Sequence, residues 1–160
     1  MTLLAYRISQ SAFSPTAWQV IKKARNAANE CRAVRIGTEH ILASISQSDT
    51  LEGEAMRKCG VTYEAIMSHC TVHTTPDVKP KTFNEETLEN NFDSSAKRAL
   101  DLTTLIAQRR QKEEADVAEL LEVISGFHTD GYLSKRILAT LGITSGTLQK
   151  TIRLVAQSSI

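Results

Sequence analysis

Few residues of this 160-residue chain are of a type and spacing that could do chemistry. His69-Cys70-Thr71-Val72-His73 places two imidazoles and a thiol within five positions, the donor types that ligate zinc. A structural zinc site needs about four converging groups, and no second Cys/His pair has matching spacing, so no metal is expected there. Cys31 falls in step with apolar residues at helical spacing and reads as a small buried hydrophobe. Glu39 follows Gly37-Thr38, where a helix start is expected. A carboxylate there can accept paired hydrogen bonds from a guanidinium group, and it also suits a first helical turn with no ligand at all. His40 reads as a packed or capping histidine. The chain contains no G-x-x-x-x-G-K-[ST] phosphate loop, no G-x-S-x-G elbow and no H-E-x-x-H helix. No catalytic residue, metal ligand or cofactor is therefore expected, and the chain is not expected to be an enzyme.

These residues are positioned by an internal repeat. Phe13-Ser14-Pro15-Thr16-Ala17 is answered by Phe92-Asp93-Ser94-Ser95-Ala96, a shift of 79 positions (92 − 13). The same shift places Val20 and Ile21 on Ala99 and Leu100, and Ile41, Leu42 and Ile45 on Leu120, Leu121 and Ile124. It then becomes 82, placing Gly60-Val61-Thr62 on Gly142-Ile143-Thr144, with the three extra residues between Gly126 and Gly131, where a loop absorbs them cheaply.

Each copy reads as four helices. Ser14 is a good N-cap before Pro15, and Ala17, Val20, Ile21, Ala24, Ala27, Ala28 and Cys31 recur at the spacing of one buried stripe. Thr38 is expected to cap the second helix, Gly60 to end the third and Thr62 to cap the fourth. The third helix of the second copy is expected near Ser134 to Leu141. Trp18 is expected at the edge of the stripe, partly buried. Between the copies, Thr71 to Asn91 holds Pro76 and Pro80 and reads as a linker, with a helical turn possible at Asn84 to Asn90. The expected architecture is all-α: two four-helix repeats, related by a pseudo-twofold axis and packed as one domain over 13–155. Repeat one covers 13–70, the linker 71–91 and repeat two 92–155.

Composition narrows the partners. Apolar residues make up 41% and charged residues 23%, as in globular proteins. With 19 basic and 18 acidic residues the net charge is +1, which gives no bulk attraction to nucleic acid or to an anionic membrane. The clusters Lys22-Lys23-Arg25 and Arg109-Arg110-Lys112 read as solvated helix faces. Three cysteines without a CxxC pair argue against a disulfide framework and fit a reducing, cytoplasmic compartment. No apolar run approaches the ~18 residues of a membrane span.

Ile36-Gly37-Thr38-Glu39-His40-Ile41-Leu42 resembles the IGTEHLL signature of the Clp N-terminal repeat, in the form seen in the ClpC branch. It stands after a Phe-x-x-x-Ala helix start (Phe13, Ala17), and the later Leu-Gly-Val turn of that repeat resembles Cys59-Gly60-Val61 and Leu141-Gly142-Ile143. The resemblance spans about Phe13 to Val155. It implies a double Clp N-terminal domain, a module that sits on an ATP-driven unfoldase and receives substrate and adaptor proteins. In some members the signature glutamate recognises phosphorylated arginine. Carried over here, that role falls on Glu39, with Thr38 marking the helix start that would face the phosphate. The second copy departs from the signature: Ala115-Asp116-Val117-Ala118-Glu119 puts Asp116 for Gly37 and Ala118 for Glu39.

The expected function is thus a protein-binding module of a Clp protease system, with unfoldase or protease subunits, adaptors or substrates as partners and phosphoarginine as a candidate ligand. A second reading is a free-standing accessory protein that regulates or assembles a Clp protease, which the degenerate second copy favours. A helical small-molecule sensor, using the groove between the copies, is the third.

Overall fold

The computed structural model describes residues 10–70, 91–126 and 131–158. The expected linker, its helical turn and the loop that absorbs the extra residues lie largely outside these. Eight α-helices are present among the described residues: α1 Pro15–Glu30, α2 Thr38–Gln47, α3 Leu51–Lys58, α4 Tyr63–His69, α5 Ser94–Arg109, α6 Val117–Ile124, α7 Leu133–Thr140 and α8 Ser145–Ser158. The same residues form no strand beyond two isolated bridges, Phe13 with Ala115 and Ile36 with Phe92.

Those bridges tie each copy to the other reciprocally. Ser14 N–H donates to Ala115 O at 2.8 Å and Ala115 N–H to Ala12 O at 2.7 Å. Asp93 N–H donates to Ile36 O at 2.9 Å and Ile36 N–H to Asn91 O at 2.7 Å. Each bond maps onto its counterpart under the shift of 79 (12 to 91, 14 to 93, 36 to 115), which is what a pseudo-twofold axis requires. The backbone agrees: Arg32 (φ 55°) matches Gln111 (φ 58°), both left-handed just after the long first helix of their copy. Gly60 (φ 81°) matches Gly142 (φ 78°), where a residue without Cβ ends the third helix without strain.

Side-chain caps start the helices, at Ser14 and Thr62 as the sequence marks. Ala17 N–H donates to Ser14 Oγ at 3.1 Å, Gly53 N–H to Thr50 Oγ1 at 3.0 Å, Ala65 N–H to Thr62 Oγ1 at 3.2 Å and Thr147 N–H to Thr144 Oγ1 at 3.0 Å. Each such cap is worth about 1 kcal/mol. One cap differs from expectation. The N-cap of α2 is Gly37, and Thr38 is already the first helical residue. Its hydroxyl is turned across the domain, where Thr38 Oγ1 accepts from Ser134 N–H at 3.3 Å, so the cap falls to the imidazole of His40.

The core lies between the central helices α2 and α6. Ile41, Leu42 and Ile45 on α2, and Leu120, Leu121 and Ile124 on α6, are fully buried. Burial of each such side chain contributes about 1.5–3 kcal/mol. The alanine-rich face of α1 (Ala17, Ala24, Ala27, Ala28) lets α2 approach closely, and Ser44 Oγ donates to Val20 O at 2.6 Å across that contact. Trp18 is more deeply buried than expected, at 8% exposure, because its ring is tilted against Phe13 with centroids 6.4 Å apart. The copies also meet at one edge: α3 of the first packs on α8 of the second, where Cys59 Sγ lies 3.1 Å from Thr151 Oγ1.

Candidate functional site

The start of α2 lines a cavity of about 350 Å³ between the two copies. Thr38, Glu39 and His40 form one wall, Asp93 and Ser95 from the start of α5 another, and Leu133 of α7 a third. The site is thus built from both repeats: one supplies the signature helix, and the other covers it.

Local chemistry explains the arrangement. His40 Nδ1 accepts from Gly37 N–H at 2.9 Å, the half of a capping box that a glutamate or glutamine side chain usually makes; Gly37 has no side chain for the other half. The Glu39 carboxylate folds back over the turn. A Cβ at position 37 would lie 2.5 Å from both of its oxygens, so the missing side chain of Gly37 makes the space it occupies. Burial raises the Glu39 carboxyl above the ordinary carboxylate range, opposed by His40 and by a hydrogen bond from the residue's own amide; Asp93 raises it further. Two carboxylates therefore face a partly enclosed space. A guanidinium group entering it would restore the stabilisation that burial removes.

The matching place in the second copy is filled by the chain itself. Asp116, at the position of Gly37, accepts from Val117 N–H at 2.9 Å and from Ser14 Oγ at 2.9 Å. Glu119, at the position of His40, is 3% exposed and paired with Lys112. Ala118 is exposed and offers no acceptor. Glu52 of α3, the counterpart of Ser134, has its carboxyl raised by burial, with Asp116 and Glu119 adding to the effect. Acidic side chains thus crowd the start of α6.

The structure also gathers three residues that the sequence reading kept apart. Cys31, His40 and Cys70 have their sulfur and ring-nitrogen atoms within 4.8 Å of one another, and all three are buried. A hydrogen bond from the Cys70 thiol, joined by the His40 ring, outweighs burial and draws the Cys31 thiol down to about 5. The Cys70 thiol is pushed up in return, by Cys31 and by burial. His69, which the sequence sets beside Cys70, is exposed and outside the cluster; residues 71–73 lie outside the described residues. The C-x₈-H-x₂₉-C spacing follows no short metal-binding pattern, so only the fold brings the set together. Asp93 was also missed as a site residue, although the shift that matches it to Ser14 signals its place beside the signature of the other copy.

Residues 12–131 match the family of the Clp repeat (R) N-terminal domain. The chain belongs to that family. No curated protein sequence matches it. Among solved structures it is similar to the N-terminal domain of the caseinolytic protease associated chaperone ClpD from Arabidopsis thaliana, at 17% identity and a TM-score of 0.67, covering 91% of this chain and 95% of that one. It is also similar to a structure titled as a preliminary structural investigation of a malarial protein secretion system, at 19% identity and a TM-score of 0.63, covering 89% and 92%. The eight-helix, strand-free architecture of the described residues is the Clp N-terminal fold, and the chain is associated with the Clp system.

Proposed function

We propose that the chain is a non-catalytic protein-binding module of a Clp protease system, acting in the cytoplasm, and that it receives substrate or adaptor proteins for an ATP-driven unfoldase. The docking point is the cavity at the start of α2, and the group it takes is a guanidinium, that of phosphoarginine included. The observation that carries this reading is the pairing of Glu39 with Asp93 across one cavity built from both copies. Glu39 forks onto the guanidinium, Asp93 adds negative charge on the far side, and the N-terminal turn of α2 presents its positive end to a phosphate. In the free chain the Glu39 carboxylate closes on its own amide, so binding exchanges an internal bond for an external one.

Calorimetric titration with an arginine-phosphorylated peptide, its unphosphorylated parent and a phosphoserine peptide tests this. Binding of the first, lost in Glu39→Ala, supports the reading, and equal binding of all three would overturn it. A second reading is an accessory protein that works in trans on a Clp unfoldase. It is favoured by the second site being occupied by Asp116, Ser14 and Glu119. Adding the purified chain to a Clp protease assay separates the two, since an accessory protein changes the rate with unmodified substrates and a receiver fused to its own unfoldase does not.

A further inference from the structure

Three helix ends converge on one buried point. Cys31 is the C-cap of α1, Cys70 the C-cap of α4, and His40 lies in the first turn of α2. Their exposures are 4%, 7% and 2%. The fold does not itself demand these residue types. Under the repeat the matching positions are Arg110 (31 + 79), Glu119 (40 + 79) and Ile152 (70 + 82), none of them a soft donor. Copy one alone collects two thiols and an imidazole, and Met67 adds a thioether 3.8 Å from Cys31 Sγ. The cluster is not sealed, because His40 and Cys70 also line the cavity that Glu39 faces.

We propose that Cys31, His40 and Cys70 bind a thiophilic divalent cation, Zn²⁺, with a fourth position open to the Glu39 cavity. Two thiolates and one imidazole are a common zinc donor set, and three protein ligands with one exchangeable position is the pattern of an open site. Zinc bonds of about 2.0–2.3 Å place tetrahedral donors roughly 3.5–3.8 Å apart, a small contraction from the spacing here. Two thiolates balance the charge of the ion, so no net charge is left buried. One outer partner is already within reach: Nδ1 accepts from Gly37 N–H in the metal-free chain, and Glu39 Oε1 lies 3.4 Å from it. Coordination through Nε2 would move the ring proton to Nδ1, where the carboxylate replaces Gly37 as its hydrogen-bond partner, as outer-sphere carboxylates commonly do for zinc-bound histidines.

The test uses the full chain, reduced and freed of metal. Zn²⁺ is titrated against a chromophoric chelator, and Co²⁺ is added separately to read thiolate coordination from its absorption spectrum. One ion per chain is expected, with sulfur-to-cobalt charge-transfer bands. Cys31→Ser and Cys70→Ser should each weaken binding by more than about 100-fold, beyond the 10–100-fold range of outer-sphere changes that Glu39→Gln should show. Cys59→Ser and His69→Gln should leave it unchanged. Should the serine variants fail to fold, alkylation of the unmutated chain with and without zinc gives the same answer: zinc must slow modification of Cys31 and Cys70 below the rate that their burial sets in the metal-free chain, and leave the rate at Cys59 unchanged. Absence of zinc binding to the reduced chain, binding that survives Cys31→Ser, or protection of Cys59 instead would each overturn the proposal.

Discussion

The Ser14 hydroxyl donates to Asp116 Oδ1 at 2.9 Å, joining the cap of α1 in one copy to the cap of α6 in the other. At the symmetry-matched place the pair is Asp93 and Gly37, which leaves a space where the second copy has a bond. The two repeats share one backbone and differ here in what fills the junction. That difference separates an open site from a closed one.

The Ser14–Asp116 contact should be measurable as a coupling. Each residue also caps its own helix, so Ser14→Ala and Asp116→Ala should each cost about 0.5–2 kcal/mol. The double variant should cost less than the sum, by about 0.5–1 kcal/mol, the scale of a net hydrogen bond in a partly exposed setting. Urea unfolding of the four chains gives the cycle, and strict additivity would show that the contact contributes nothing.

Gly53 sets propensity against space. Alanine is the better helix former by about 0.8–1.0 kcal/mol in a helix interior. Yet a Cβ on Gly53 would stand 2.5 Å from Ser48 O and 2.6 Å from Ile45 O, both backbone atoms at the end of α2. Overpacking of that kind costs about 1–3 kcal/mol, more than the propensity gain. Gly53→Ala should therefore lower the melting temperature, and an unchanged or higher value would mean that α3 can shift away from α2 without loss.

Glu52 gives a pH dependence with a definite sign. Burial holds its carboxyl above the ordinary value of about 4.3, with Asp116 and Glu119 adding to the effect. Across the window from that value to the raised one, the native chain binds more protons than the unfolded chain. Stability then falls as pH rises through the window, and the loss is complete above it. Glu52→Gln removes the penalty. Because Glu52 is only partly buried, the gain at pH 7 should be below about 1 kcal/mol, a rise of up to roughly 3 °C. Near pH 3.5 the two chains should melt together, and a gain that persisted there would have another cause.

The elements were legible in the sequence because their signals are local. Ser14-Pro15, Thr62 and Gly60 mark helix ends through caps that reach only a few residues along the chain, and the apolar stripes are periodic. The repeat then matched the elements of one copy to those of the other, since residues 79 apart occupy corresponding places in the two backbones. Illegible were the features that depend on which atoms meet across the axis. Thr38 looked like a cap because its type suits one. Its hydroxyl is instead taken by Ser134, 96 residues away, and His40 takes over the capping bond. Cys31 was read correctly as buried, but its neighbour Cys70 follows 39 positions later (70 − 31), and no spacing rule connects them. Glu39 was legible through the signature it shares with the family, while the opposing Asp93 was not.

Under the proposed function, the same asymmetry predicts the stoichiometry of ligand binding. An arginine-phosphorylated peptide should bind once per chain, at Glu39. Removing that carboxylate strips a desolvated guanidinium of its partner, which costs roughly 3–5 kcal/mol and should abolish measurable binding in Glu39→Ala. Restoring the signature side chains alone in the second copy, by Val117→Thr with Ala118→Glu, should not create a second site. Asp116 would still occupy the helix start, bound to Ser14 Oγ and Val117 N–H, and Glu52 and Glu119 would still set negative charge where the phosphate must go. Adding Asp116→Gly and Glu119→His removes the two nearest carboxylates and supplies an imidazole for the cap. Glu52→Ser, copying Ser134, removes the third. The five-residue variant should titrate with a stoichiometry approaching two, the second site weaker than the first. A second site in the two-residue variant would mean that acidic crowding does not control access. None in the five-residue variant, with its helices intact by circular dichroism, would mean that Asp93 is indispensable, since its counterpart in the second copy is Ser14.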